Sequence, residues 1–163
     1  MIDADTGNIH LPNGFVITPA LTSNTFRRSW FGRSAAAHSP AASQEQWWFE
    51  IDAGVLGLRS ASLSLNLCEH RLVGLDLQLI ETCYFGDVLQ EYFATERATK
   101  LFHDDLLRHD LGEADCYTKT NCNEPGLDKA PNYLRTWGKV VSDFDWGAGN
   151  AYISIEYNSD TEL

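Results

Sequence analysis

Hydrophobic and polar residues alternate most regularly between positions 61 and 80. Leu63, Leu65 and Leu67 alternate with Ser62, Ser64 and Asn66, and Val73, Leu75, Leu77 and Leu79 alternate with Gly74, Asp76 and Gln78. A period of two with one apolar face predicts antiparallel strands covered on one side only. These strands are expected over 61–68 and 72–80, turning at Glu69, His70 and Arg71. The same alternation returns near the end, where Ile153, Ile155 and Tyr157 interleave with Tyr152, Ser154 and Glu156. It predicts a strand over 150–157, paired across an Asp- and Gly-rich turn with a strand over 135–141. Trp47, Phe49 and Ile51 predict a further strand over 47–53. Asn13-Gly14, between two short apolar runs, predicts a small hairpin of strands 8–11 and 14–18, which can stand apart as a ribbon.

The period changes twice. After Thr22, Ser23 and Asn24, whose side-chain oxygens suit a helix cap, Phe26, Trp30 and Phe31 predict one face of a short helix ending at Gly32. Between 95 and 111, Ala98, Leu101, Phe102, Leu106 (or Leu107) and Leu111 predict the main helix. Thr95 is its expected cap and Gly112 its stop. The Ala- and Ser-rich stretch 33–46 and the stretch 113–133 hold few large apolar residues and read as long loops, and 158–163 reads as a polar tail. The expectation is one domain over 1–163. Its fold class is α+β, a single-layer antiparallel sheet of about six strands with helices packed on one face.

Charge narrows the function. Twelve Lys and Arg stand against 23 Asp and Glu, a formal charge of −11. That sign opposes nucleic-acid binding, which needs cations to replace phosphate counterions, and docking on anionic membranes. It suits a basic protein partner. No apolar run approaches the ~20 residues that span a bilayer, and "MIDADTGNIH" lacks an export pattern, so a cytoplasmic protein is expected. The four cysteines, Cys68, Cys83, Cys116 and Cys122, are then expected as thiols.

The residues give little sign of catalysis. Cys116, Cys122 and the Cys68/His70 pair do not have structural-zinc spacing. In "FHDDLLRHD", His103 and His109 lie about 240° apart around a helix and share no face. No nucleophile elbow, dinucleotide fingerprint or phosphate loop is present. The expectation is therefore no enzyme, no metal and no cofactor.

Three segments carry a resemblance. "L-P-x-G-F-V-I-T-P-x-L-T-x-x-x-F" near the start, "L-L-R-x-x-L-G" at the end of the main helix, and "Y-x-x-x-W-G-K-V-x-S-x-x-D … G … A-x-I-S-I-E-Y" at the close span most of the chain. Together they resemble small acidic bacterial immunity proteins of polymorphic and interbacterial toxins. The resemblance implies a non-enzymatic inhibitor whose partner is a cognate toxin domain. An acidic secretion chaperone or adaptor is the alternative, and a small hydrolase a more distant one. A monomer or weak dimer is expected. The acids and the Trp on segments with no other assigned role make up the expected partner surface. These are Asp104, Asp105 and Asp110 on the helix, Glu124 and Asp128 in the long loop, and Asp143, Asp145 and Trp146 at the closing turn.

Overall fold

The computed structural model describes residues 1–11, 13–33, 36–38, 46–56, 59–68, 70–80 and 89–158. Two strands, β1 (Ile9–His10) and β2 (Val16–Ile17), form a separate ribbon. It is followed by helix α1 (Ser23–Arg28) and strands β3 (Ala36–His38), β4 (Gln46–Leu56), β5 (Arg59–Cys68) and β6 (Arg71–Ile80). Helix α2 (Leu89–Leu111) precedes β7 (Cys116–Lys119), β8 (Lys129–Arg135), β9 (Gly138–Asp145) and β10 (Asn150–Tyr157). The last eight strands make one antiparallel sheet in the order β3-β4-β5-β6-β10-β9-β8-β7. The chain closes the middle of this sheet by placing β10 against β6, with Ile153 opposite Leu77 and Ile155 opposite Leu75.

The α+β class and the antiparallel pairing agree with the alternation. The expected single layer of about six strands does not, because among the described residues the main sheet has eight strands and a two-stranded ribbon stands apart from it. Three strands lie in stretches expected as loops: β3 falls within 33–46, and β7 and most of β8 within 113–133. β3 and β7 are the sheet's edges, where a strand borrows hydrogen bonds from a neighbour and needs no apolar face of its own. All four residues of β7 are exposed, so no alternation betrays it. The strand expected over 135–141 is two strands, since Thr136 and Trp137 are the turn between β8 and β9. Glu69 of the expected β5–β6 turn lies outside the described residues, while His70 takes a positive φ of 70° there. The Asn13-Gly14 turn is described apart from Pro12.

One face of the sheet carries the core. Leu63, Leu65, Leu67, Leu75, Leu77, Ile153 and Ile155 pack there with Ile2, Ile9, Ile17, Leu21, Phe26 and Phe31 from the N-terminal segment, and with Leu107 and Leu111 from α2. Each such side chain contributes roughly 1.5–3 kcal/mol on burial. Thr22 caps α1, its side chain accepting from Thr25 N–H at 3.2 Å. Phe26 and Phe31 turn inward, but Trp30 is exposed. Trp137 packs on Tyr157, and its indole donates to Ala4 O at 2.9 Å. A Cβ at Gly7 would meet that indole at 2.5 Å, so the N-terminal segment approaches closely only because glycine stands there.

Helix α2 packs on β10, β9 and β6, but not through the expected stripe. It starts at Leu89, so Thr95 is inside it and does not cap it. Ala98 and Leu101 are exposed, and the inward face is Thr99, Lys100, His103, Leu107 and Leu111. The apolar stripe holds toward the C-terminal end, at Leu107 and Leu111. Around the middle of the helix the buried ammonium of Lys100 and imidazole of His103 take its place.

Candidate protein-binding surface

Three segments meet at one end of the sheet: the first half of α2, the 120–128 loop and the β9–β10 turn. The loop is compact. Thr120 Oγ1 donates to Leu127 O at 2.6 Å and accepts from Cys122 N–H at 3.1 Å, and Leu127 N–H bonds Glu124 O at 2.9 Å. Cys122 and Leu127 close a small apolar cluster with Phe144 and Ala151. Arg97 of α2 holds the loop from outside, donating to Pro125 O at 2.7 Å and pairing with Glu124 at 3.9 Å. Glu96 accepts from Ala151 N–H at 2.8 Å, tying the helix to β10.

The turn itself is built by Asp145. Its carboxylate accepts from Gly147 N–H at 2.8 Å and its carbonyl from Gly149 N–H at 2.6 Å, with Gly149 at φ 73°. Asn121 of the loop accepts from Trp146 N–H at 3.1 Å. The backbone of Trp146 is thus fixed, while the residue is 52% exposed. A half-exposed indole on a fixed backbone is the kind of group that anchors a protein interface.

The structure divides the expected surface residues. It brings Glu124, Asp128, Asp145 and Trp146 together at this end. Asp128 also serves the loop, accepting from Gly126 N–H at 3.2 Å. Asp143 lies two residues earlier on β9, pointing to the opposite face of the sheet from Phe144, and accepts from Phe144 N–H at 2.7 Å. The three helix acids separate from one another. Asp105 is exposed and pairs with Arg108 at 3.0 Å. Asp104 reaches under the helix to Lys100 at 2.7 Å, whose side chain has no exposure at all. Burial pushes the Lys100 ammonium below its ordinary value, against the pull of Asp104 and the weaker pulls of Asp143 and Asp128. Asp110 is 8% exposed and accepts from Ile2 N–H at 2.8 Å, with His109 at 2.9 Å. It clamps the N-terminal segment onto α2. Among the described residues, no group of three or more His, Cys, Asp or Glu is arranged to hold a metal ion, and no helix is long and apolar enough to cross a membrane. Cys83 lies outside the described residues.

Sequence reasoning passed over Asp76, Tyr152 and Glu156, which share the face of the sheet that α2 does not cover. Tyr152 stands opposite Asp143 in the β9–β10 register. Burial, then Asp143, Asp76 and Asp145, push the Tyr152 phenol up to about 12. The signal was present in the polar half of the strand alternation. Polar positions of a half-covered sheet ordinarily face water, so the pattern alone assigns them no function.

No protein-family model matches this sequence, and no curated protein does. Among solved structures, a chain in the structure described as "Rhs1-CT in complex with cognate immunity protein RhsI1" shares the fold. The similarity extends over 99% of this chain and 89% of that one, at a TM-score of 0.55 and 10% sequence identity.

Proposed function

We propose that this protein is an immunity-type inhibitor that neutralises a cognate bacterial toxin by binding it, with no catalytic step of its own. The observation that carries this reading is the fold shared along nearly the whole chain with a member of a toxin–immunity complex. The charge of −11 favours the inhibitor's side of such a pair, because an acidic surface speeds encounter with a basic toxin and repels the wrong partners. The half-exposed Trp146 supplies an anchor, and Glu124, Asp128 and Asp145 lie on the segments that meet at the same end. The test is co-expression with the product of the neighbouring reading frame. A stable complex, together with rescue of growth that the neighbour alone arrests, is the expected result. Absence of a complex, or growth arrest caused by this chain itself, would overturn the reading. Stable self-association with no rescue would favour the chaperone or adaptor alternative.

A further inference from the structure

The sheet has two faces of unequal character. Every described helix, and the N-terminal ribbon, packs on the face formed by Leu65, Leu75, Ile153 and Val140. On the other face the register lines up polar rows across the four central strands. One row runs Ser64, Asp76, Ser154 and Val141. A second runs Asn66, Gly74, Glu156 and Lys139, and a third sets Tyr152 opposite Asp143 with Gln78 beyond. Strands lie about 4.8 Å apart, so these groups form one continuous patch. The described helices and the ribbon pack on the opposite, apolar face.

From this arrangement we propose that the helix-free face, centred on Asp76, Tyr152 and Ser154, is the docking surface for a basic strip of a protein partner, entered by Arg or Lys side chains. The identity of that partner as a toxin rests on the function proposed above, but its chemistry follows from the face itself.

Charge complementarity is the first argument. Asp76, Asp143 and Glu156 lie in the central rows with Asp145 at their margin, against Lys139 as the cation of those rows. Arg71 stands only at the start of β6. The second argument is that the face is held in a condition a donor would relieve. Among the described residues, no cation pairs with Asp76. Burial raises its carboxyl above the ordinary value, the Ser154 hydroxyl opposes that shift, and Glu156 adds to it. An uncompensated, partly buried carboxylate costs stability in the free protein, and an incoming cation reverses the sign of that cost. The third argument is geometric: Arg supplies five N–H donors in a planar fork that matches a carboxylate such as Asp76.

The test uses hexa-arginine amide as the probe, titrated into the 15N-labelled full chain at low salt. The largest amide shifts are expected at Ser64, Asp76, Val141, Tyr152 and Ser154. Two charge-matched variants then separate this face from acidity in general. Asp76→Asn with Glu156→Gln should weaken peptide binding at least fivefold. Asp105→Asn with Glu113→Gln, both exposed at or near the helix end, should change it less than twofold. Spectra without peptide confirm that each variant stays folded. Shifts centred on Asp105, Glu113 or the 120–128 loop, or equal losses from the two variants, would overturn the proposal. A peptide footprint on this face alongside a failed co-expression experiment would keep the surface and remove the toxin reading. A complex with the neighbour and a footprint elsewhere would do the reverse.

Discussion

The two faces of the central strands are made by the same residues taken alternately, yet they have opposite relations to water. On the covered face, Leu63, Leu65, Leu67, Leu75, Leu77, Ile153 and Ile155 are buried against the N-terminal segment and α2. On the open face, Ser62, Ser64, Asn66, Asp76, Gln78, Tyr152 and Ser154 are each partly exposed. The covered face is itself divided. Against the N-terminal segment it is mostly apolar, with Ser23 the buried polar residue that segment contributes among those described. Around the middle of α2 it admits Lys100, His103 and Ser142, each fully buried. The difference teaches that stability is concentrated on one side and at one end of the sheet. The open face and the loop–turn end, which contribute less to stability, are where a binding function can be placed without loss of the fold.

This comparison is most directly broken by a pair of neighbouring truncations. Leu65→Ala on the covered face should cost about 2–5 kcal/mol, the range for removing a buried leucine from a core that collapses only in part. Ser64→Ala, the adjacent residue on the open face, should stay within about 0.5 kcal/mol. Urea denaturation of both variants measures the contrast, and equal losses would show that the open face is covered in solution.

Next in size is the buried pair. Asp104→Ala leaves the Lys100 ammonium buried without its partner and should cost about 3 kcal/mol. Lys100→Met keeps the packing stem, removes the buried charge, and should change stability by less than about 1 kcal/mol in either direction. If Lys100→Met proved the worse of the two, the ammonium would be bonded by more than Asp104, and the covered face would be polar by design.

Asp76→Asn should act in the opposite direction, raising stability at pH 7 by a fraction of about 1 kcal/mol. The sign follows from the raised carboxyl. A group whose folded value lies above its ordinary 3.8 contributes stability that is complete below that value and lost as pH rises through the folded one. The variant's advantage should therefore be absent near pH 3 and complete at pH 7. Thermal midpoints across that range test it, and an advantage that grew toward low pH would place a hidden cation beside Asp76.

The smallest effect on stability is expected at Trp146. Trp146→Ala removes a 52%-exposed indole and should shift stability by no more than about 0.5 kcal/mol. On an identified partner the same change should speed dissociation and cost about 2 kcal/mol or more. A large stability loss with unchanged binding would make Trp146 part of the loop's packing rather than an anchor.

How far the fold could be read in advance varied by element. The β5–β6 hairpin and β10 were legible because their alternation is strict and long, whereas the strand expected over 135–141 straddled the turn between β8 and β9. α2 was legible in its second half, where Leu107, Leu111 and Gly112 obey the ordinary rules. Its middle was not, because Lys100 looks like a surface residue in any pattern. β7 was invisible because Cys116, Tyr117, Thr118 and Lys119 bury nothing. For the candidate surface, Trp146 and Asp145 were correctly placed at a turn. Asp110 looked like one more exposed acid until the chain's first residues came to lie beside it, 108 positions away from Ile2 in sequence.

The sequence by itself determined the period of each strand and hence which side chains share a face. It also set the overall negative charge and the turns that Asp145, Gly147 and Gly149 build locally. These depend on backbone sterics and on neighbours two to four residues away. Only the tertiary structure decided that β10 enters beside β6, that α2 and the N-terminal segment cover the same face, and that Asp76, Tyr152, Asp143 and Glu156 become neighbours. That outcome turns on long-range pairing. A carboxylate two strands over is silent in any local pattern, and its electrostatic effect begins only when burial removes the water that screened it.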